Sequence, residues 1–257
     1  MTNLKMFDLS GKVALVTGGS KGLGKSIARG LSEAGADVII SSRHQDELDR
    51  ALPEILEGTG RHGISIVADL AKRGEPERLA RVALEKKGHI DILINNAGTN
   101  IPQPSDQIKD EDWDHILALN LHACMALTRA LVPSMKKRGW GRIIHITSVL
   151  GLGSKTGRGS YSASKSGVIG LARAAALDLG GTGITVNCIA PGPFLTDLPK
   201  SLLSEAEKKH FSERTALGRW GEPDEMVGPT LLLASEAGSY MTGTVVVVDG
   251  GVMARTL

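Results

Sequence analysis

The sequence predicts an α/β fold: a doubly wound parallel sheet of seven strands, formed as a single domain. Seven short apolar segments recur along the 257 residues, and longer amphipathic stretches separate most of them. The apolar segments are continuous rather than alternating, which is typical of strands buried on both faces. Strands that alternate with helices in this way indicate parallel pairing, with helices on both sides of the sheet.

The predicted elements follow one another from residue 13 to residue 248. The strand segments are rich in Val and Ile, which favour a pleated, buried surface. They are expected at 13–17, 37–42, 64–68, 92–95, 142–147, 184–189 and 245–248. The amphipathic stretches between them predict helices at 23–33, 44–57, 75–87, 112–137, 160–179 and 223–235.

One stretch, at about 194–219, is too long for a simple connection between a strand and a helix. Pro193 and Pro199 interrupt any helix there, and the run from Ser204 to Glu207 has the pattern of a helix start. We predict an insertion that covers the substrate: a short helix between flexible ends, closing as a lid. Closure would bring Leu195 and Leu198 over the substrate.

Composition narrows the class of protein. The net charge is +2 and only 3% of the residues are aromatic, so we expect no nucleic-acid partner. We see no apolar run of 18 or more residues and a polar start, so we expect a cytoplasmic protein with no membrane partner. Cys124 and Cys188 are expected to be buried free thiols, and no Cys/His spacing predicts a metal site.

A glycine loop joins the first predicted strand to the first helix. Thr17 to Gly24 reads T-G-G-S-K-G-L-G, with the spacing G-x-x-x-G-x-G. Glycines at this point allow a tight turn and let backbone N–H groups approach a pyrophosphate at the start of a helix. Turn glycines alone would be the plain alternative, but the position after the first strand favours a Rossmann-type dinucleotide site at Gly18, Ser20, Lys21, Gly22 and Leu23.

Tyr161 and Lys165 lie four residues apart in a predicted helix, so their side chains share one face. An ammonium near a phenol stabilises the phenolate, which suits the phenol to exchange a proton with an alcohol or ketone oxygen. Ser148 precedes them and could hold that oxygen. Each residue alone has a plain structural alternative: a surface pair for Tyr161 and Lys165, and a turn residue for Ser148.

Taken in order, these motifs resemble the short-chain dehydrogenase/reductase family over nearly the whole chain. The loop at 17–24 is similar to that family's T-G-x-x-x-G-x-G, and residues 95–98 to its N-N-A-G. The resemblance implies a catalytic tetrad of Asn120, Ser148, Tyr161 and Lys165. It implies that Tyr161 is the acid/base, that Lys165 also binds the nicotinamide ribose, and that Ser148 polarises the carbonyl. Asn120 would hold, through its backbone, a water that links Lys165 to solvent.

The cofactor prediction depends on the end of the second strand. An NAD site usually has a carboxylate there, but this chain has Ser42 and Arg43. Arg43, with Lys21, can pair with a 2′-phosphate, so we expect NADP(H) to be preferred, with NAD(H) also accepted. Solvated cations are the alternative. The resemblance adds further cofactor contacts at Asp69, Leu70, Asn96, Ala97, Gly98, Pro191, Gly192, Phe194 and Thr196.

The substrate is predicted only as a small carbonyl or alcohol compound. Residues 217–223 look like those of gluconate 5-dehydrogenases, whereas 3-oxoacyl-[acyl-carrier-protein] reductases often have a basic residue where this chain has Thr182. The pocket should be lined by Thr99, Asn100, 150–158 and 194–198. The resemblance also implies a homotetramer. A non-enzymatic NADP-binding sensor or scaffold would be expected to lack a tetrad member, and all four are present.

Overall fold

The computed structural model describes residues 3–196 and 212–254, and its centre is one seven-stranded parallel sheet. The strand order is β3-β2-β1-β4-β5-β6-β7, and every pairing is parallel. The predicted fold class is confirmed. The strands are β1 Val13–Thr17, β2 Asp37–Ser42, β3 Gly63–Val67, β4 Ile92–Asn95, β5 Gly141–Ile146, β6 Ile184–Pro191 and β7 Val245–Val248.

The strand order reverses between β1 and β4. From β1 the sheet first grows on one side, where β2 pairs with β1 and β3 pairs with β2. The next strand, β4, pairs with the other side of β1. In open α/β sheets, ligands bind in the crevice beyond the carboxyl ends of the strands at such a point. The glycine loop follows β1 and the Asn95–Gly98 run follows β4, so both sequence motifs lie at this crevice.

Helices cover both faces of the sheet, as continuous apolar strands require. The helices are α1 Gly22–Glu33, α2 Gln45–Leu56, α3 Glu75–Lys87, α4 Asp110–Leu117, α5 Ala123–Arg138, α6 Gly159–Asp178 and α7 Val227–Ala234. Side chains of α1, α2 and α7 form one core with the sheet, and those of α3, α5 and α6 form the other. That all 257 residues form one domain, with an insertion at about 194–219, stays a prediction.

The helix predicted at 112–137 is longer and is interrupted. A π-helical segment, Ala118–His122, separates α4 from α5, and Ala123 donates its N–H to the carbonyl of Ala118. Such segments inside helices frequently occur at functional sites, and here Asn120 is inside it. The whole run Asp110–Arg138 is long and apolar enough to cross a membrane by length and composition, but half of the tested window is buried in the protein, as expected for a core helix.

Other boundaries moved by one to four residues. The sixth strand, predicted at 184–189, continues to Pro191, which pairs in register with Val248. The predicted helix at 223–235 begins with a 3₁₀ turn, Pro223–Met226, and the α-helix starts only at Val227. A capping box between Glu222 and Glu225 fixes that start.

Hydrogen bonds join the start of the predicted insertion to the chain that follows its end. Leu195 donates its N–H to the carbonyl of Gly221 at 2.8 Å, and Gly221 donates to that of Pro193 at 3.0 Å. Phe194 is buried and its ring packs against Gly221. Residues 197–211, with Pro199, the predicted helix start at 204–207 and Leu198, lie outside the described residues, so the lid stays a prediction.

Candidate active site

The glycine loop is fastened to the end of β4 by Thr17 and Asn96. The Thr17 hydroxyl accepts the N–H groups of Asn96 and Ala97 at 2.9 and 3.0 Å. The Asn96 amide donates back to the carbonyls of Thr17 and Gly18 at 2.9 and 3.2 Å. These bonds hold the two strand ends that border the crevice in one fixed arrangement.

Close packing explains the last glycine of the loop. A Cβ atom at Gly24 would lie 2.2 Å from the carbonyl oxygen of Gly18 and 2.4 Å from the Asn96 amide nitrogen. Only glycine fits there, and α1 can therefore begin directly against the loop. The positive φ of Gly18, 63°, is a second constraint that favours glycine. The loop therefore leads directly into the N-terminus of α1, where backbone N–H groups can bind an anion.

Ser148 lies at the carboxyl end of β5, where it caps a 3₁₀ turn, Val149–Gly151. Its hydroxyl oxygen accepts the N–H of Leu150 at 3.1 Å. The turn interpretation of Ser148 is therefore present in the structure, but it uses only an acceptor site of the hydroxyl. The O–H proton stays available to a substrate oxygen.

Tyr161 and Lys165 occupy the first two turns of α6, as predicted. Lys165 is 5% exposed, its ammonium donates to the carbonyl of Ile146 at 2.8 Å, and its Nζ lies 5.7 Å from the centre of the Tyr161 ring. A buried ammonium beside a phenol is unlike an exposed surface pair. Gly151 lets α6 approach the strand end, because a Cβ there would lie 3.0 Å from Lys165 atoms.

Asn120 connects the active-site helices through its side chain. Its Oδ1 accepts the N–H of Thr99 at 2.9 Å, and its Nδ2 donates to the Thr99 carbonyl at 2.9 Å and to the Ser164 hydroxyl at 3.0 Å. Ser164 in turn donates to the carbonyl of Tyr161 at 2.7 Å. Asn120 therefore links the loop after β4 to the first turn of α6, and its bonds are not confined to its own helix.

Gly98 lies between these groups. A Cβ atom at Gly98 would be 3.2 Å from the Asn120 Oδ1 and 3.4 Å from the Lys165 Nζ. The structure thus brings the end of the Asn95–Gly98 motif against two members of the predicted tetrad. Side chains at this position would crowd both.

A buried polar row lies below Lys165. Asn95, His145 and Cys188 are in register on β4, β5 and β6, and the Asn95 amide donates to the His145 Nδ1 at 3.1 Å. Burial, with a smaller contribution from the Lys165 charge, lowers the pKa of His145 to about 4, so its ring is neutral. Burial also raises the pKa of Cys124 to about 11 and of Cys188 to about 12. Both cysteines are free and buried, as predicted.

The predicted adenosine end of the crevice is an open cleft of about 600 Å³. Arg43 is exposed at its edge, and its side chain makes no hydrogen bond or ion pair with any described residue. Ser42 accepts the N–H of His44 at 3.3 Å and so shapes the turn after β2. The cleft is lined by Arg43, His44, Val67, Asp69, Lys72, Glu75 and Arg78.

Asp69 and Leu70 follow β3 at the same end. Leu70 is buried at 4% exposure, whereas Asp69 accepts the N–H of Ala71 at 3.3 Å and pairs with Lys72 at 3.7 Å. The Asp69 carboxylate therefore caps the turn after β3. It does not cap a helix, since α3 begins after Gly74.

Lys21 and Ser20 are in contact with a residue that sequence analysis did not consider. The Glu47 carboxylate, from the first turn of α2, accepts hydrogen bonds from Lys21 Nζ and Ser20 Oγ, both at 2.9 Å. The hydrogen bond from Lys21 outweighs the effect of burial, and the pKa of Glu47 is lowered. Two predicted cofactor residues are therefore bonded to one carboxylate of the protein.

The predicted nicotinamide end is formed by the chain after β6. Gly192 donates its N–H to the carbonyl of Val248 at 2.9 Å, which fixes the turn after Pro191. Thr196 lies near the glycine loop, because a Cβ at Gly22 would be 3.2 Å from its methyl carbon. The 194–196 segment therefore reaches back across the crevice from β6 toward the start of α1.

Sequence analysis missed three residues that organise the site. The position of Thr17 just before the first glycine of the loop was a sequence signal for a role in the site. Its role as a hydrogen-bond acceptor could not be predicted, because the donors Asn96 and Ala97 follow β4. No sequence signal pointed to Ser164 or Glu47, because their contacts join elements that are far apart in the sequence. Among the described residues, no group of three or more His, Cys, Asp or Glu is placed to hold a metal ion.

The fold and these residues define the class of protein. It is an α/β protein with a dinucleotide-type glycine loop at the switch point of its sheet, and Tyr161 lies beside that loop next to the buried Lys165. Residues 12–207 match the family model described as short chain dehydrogenase. The chain belongs to the short-chain dehydrogenase family and is therefore an oxidoreductase of the class that uses NAD(P).

Individual relatives support the same family. Dehydrogenase/reductase SDR family member 4 of Oryctolagus cuniculus is 39% identical over 250 residues, which cover 96% of this chain and 95% of that protein. Gluconate 5-dehydrogenase of Gluconobacter oxydans is 35% identical over 253 residues, with 98% of both chains covered.

Solved structures agree with the fold over almost the whole chain. A protein from Beutenbergia cavernae, a candidate NAD(P)-dependent gluconate 5-dehydrogenase with NADP bound at low occupancy, has a TM-score of 0.92 at 37% identity. That match covers 97% of this chain and 100% of the other. The 3-oxoacyl (acyl-carrier-protein) reductase of Agrobacterium tumefaciens C58, with NADP bound, has a TM-score of 0.93 at 33% identity and 97% coverage of both chains.

Proposed function

We propose that this chain interconverts a small ketone and its secondary alcohol with NADP(H), using Tyr161 as the proton donor and acceptor. The observation that carries the proposal is the buried Lys165 ammonium, 5.7 Å from the Tyr161 ring centre and beside Gly98 at the switch point. A structural lysine would not be expected to be buried there without a carboxylate partner. A catalytic lysine has a reason to be, because its charge stabilises a phenolate.

The side chains divide the work as follows. The cofactor supplies or accepts the hydride, and the protein supplies position and charge. In the reducing direction, Tyr161 gives its proton to the substrate oxygen, and the Lys165 charge stabilises the phenolate that remains. The Ser148 hydroxyl, which accepts from Leu150, donates its own proton to hold the same oxygen.

Asn120 has two parts in this proposal. Its side chain fixes the loop after β4 against α6 through Thr99 and Ser164. Its carbonyl, which accepts the Cys124 thiol at 3.2 Å, has a second lone pair for the water that would return protons to Lys165. The raised pKa of Cys124 keeps that thiol protonated, so it acts as a donor there.

The residues at the other end of the crevice fit NADP(H) better than NAD(H). Arg43 is exposed at the cleft without a partner among the described residues, and no carboxylate ends β2. The Agrobacterium tumefaciens and Beutenbergia cavernae proteins were crystallised with NADP. Gly18, Gly22, Leu23 and Asn96 to Gly98 would hold the middle of the dinucleotide, and Pro191, Gly192, Phe194 and Thr196 its nicotinamide end.

For the substrate, a polyol or sugar acid is the first candidate. The observation in its favour is the likeness of 217–223 to gluconate 5-dehydrogenases, with two such relatives among those described above. A 3-oxoacyl thioester is the second, supported by the Agrobacterium tumefaciens reductase. A cofactor-depletion screen with gluconate, 5-ketogluconate, acetoacetyl thioester and other ketones and alcohols separates the two.

Tyr161→Phe tests the assignment, and the chain offers a matched control. The sequence has two tyrosines, and Tyr240 is fully exposed. We expect Tyr161→Phe to lower kcat by ~10²–10⁴-fold, as for other general acid–base groups, with NADPH affinity nearly unchanged. Tyr240→Phe should match the wild type. More than about a tenth of wild-type activity in Tyr161→Phe would overturn the assignment.

We also propose a cytoplasmic homotetramer. Both cysteines are free thiols, which suits a reducing compartment. Among the described residues, the edge strand β7 pairs with β6 alone, and Val247 is 42% exposed on it. Leu177, at the end of α6, is 84% exposed. Two separate apolar surfaces of this kind are what closed dihedral symmetry would bury.

A further inference from the structure

We propose that Glu47 is a built-in competitor for the 2′-phosphate of NADP(H), which lowers the affinity for this cofactor and speeds its release. The inference rests on the proposed function, because NADP(H) is its cofactor, and on the sequence-based prediction that Lys21 pairs with the 2′-phosphate together with Arg43. It adds a residue that helps to set specificity and that lies outside every motif of the glycine loop. The same residue gives a way to tune cofactor choice from α2.

Geometry places the Glu47 carboxylate on the predicted phosphate ligands. One oxygen accepts from Lys21 Nζ at 2.9 Å and the other accepts from Ser20 Oγ at 2.9 Å. The two donors belong to consecutive residues of the glycine loop. A carboxylate that accepts from both donors has the negative charge and the hydrogen bonds that an anionic ligand would have there.

The charges then decide which anion Lys21 prefers. Glu47 is ionised, because the hydrogen bond from Lys21 lowers the pKa of its carboxyl. A 2′-phosphate carries roughly −1.5 to −2 charges, by analogy with other phosphate monoesters, and is the stronger ligand. Lys21 is 63% exposed and Glu47 24%, so their ion pair is partly screened and can be replaced.

Glu47 weakens NADP(H) binding even after the phosphate has displaced it from Lys21. If Lys21 contacts the phosphate, the Glu47 carboxylate is within several ångström of a second anion. Repulsion between them in a solvated, salt-screened setting corresponds to about a threefold to tenfold change in dissociation constant. NAD(H) has no 2′-phosphate, so the effect is selective for NADP(H).

Glu47→Gln is the decisive variant, and Glu54→Gln is its matched control. Glutamine keeps the length of the side chain, and its single oxygen can still accept from Lys21 while its amide N–H donates to Ser20 Oγ, but it carries no charge. Glu54, two turns further along α2, pairs with Lys25 of α1 and so makes a Lys–Glu ion pair that does not involve the glycine loop.

We would measure the dissociation constants of NADPH and NADH by calorimetry for each variant of the full chain. Glu47→Gln should bind NADPH about three to ten times more tightly, with NADH changed less than about twofold. The gain should shrink as salt is raised, and NADPH release should slow by the same factor. Glu54→Gln should leave both constants unchanged.

Lys21→Ala, measured in the same titrations, keeps the two proposals distinguishable. If it weakens NADPH binding while Glu47→Gln changes nothing, changes both cofactors equally or weakens NADPH, the Glu47 inference is wrong and the cofactor assignment stands. If the wild type and Lys21→Ala both bind the two cofactors alike, the NADP(H) preference is wrong and the Glu47 inference falls with it. Circular dichroism confirms that each variant is folded.

Discussion

Replacing Asn120 by alanine tests whether the network across the site has a role in the reaction beyond stability. Asn120 is 1% exposed, and its side chain makes three hydrogen bonds of 2.9–3.0 Å. Alanine removes all three and leaves the N–H and carbonyl of Thr99 without those partners. Each such bond contributes ~1 kcal/mol net, and an unsatisfied buried group costs ~1–3 kcal/mol.

We therefore expect Asn120→Ala to lower the free energy of unfolding by about 3–5 kcal/mol, since some of the freed groups will find water. The catalytic effect has a different origin. Thr99 follows Gly98, which lies against Lys165, so a loosened loop changes the environment of that ammonium. A misplacement of about 1 Å near reacting groups can cost ~10²-fold, and we expect kcat to fall by ~10–10²-fold.

Asn187→Ala is the matched control. Asn187 is also fully buried, and it bonds only backbone groups: it donates to Met241 at 2.7 Å and accepts from Thr244 at 3.2 Å. This variant should lose about 2–4 kcal/mol of stability but keep kcat within about twofold of wild type.

Denaturant unfolding gives the stability of each variant, and initial rates are compared at a temperature where all variants are folded. Asn120→Ala with wild-type kcat would mean that the network is only structural. A loss of stability no larger than that of a surface substitution, within about 0.5 kcal/mol, would mean that the three bonds do not form as described.

Three further outcomes are expected. Arg43→Asp should reverse the preference for NADP(H) over NAD(H), since a lost charge-assisted bond is worth roughly 1.5–3 kcal/mol and repulsion adds to it; equal kcat/KM for both cofactors on the wild type would contradict the premise. Light scattering at micromolar concentration should give the mass of a tetramer, and a monomer would refute the assembly. Hydrogen exchange should show added protection within 194–219 when NADPH and a substrate analogue bind, and identical protection in both states would make the segment a rigid part of the fold.

Local patterns in the sequence were enough to predict the sheet and the place of the site. Continuous apolar strands are typical of burial on both faces, and their alternation with helices along the chain predicts a parallel, doubly wound sheet between two helix layers. The spacing of Tyr161 and Lys165 is set by one helix, so their shared face follows from the sequence. The glycine loop directly follows the first strand in the sequence, so its place at the carboxyl end of β1 could also be predicted.

Contacts between elements were decided only by the tertiary structure. The sequence shows Asn120 in a helix but not the π segment that contains it, nor its bonds to Thr99 and Ser164, which lie 21 and 44 residues away. It shows Lys21 as a loop cation but not that Glu47 of α2 binds it. Helix and strand periods report which face of one element is buried, whereas the partner of a polar side chain depends on how separate elements pack, and no local pattern encodes that.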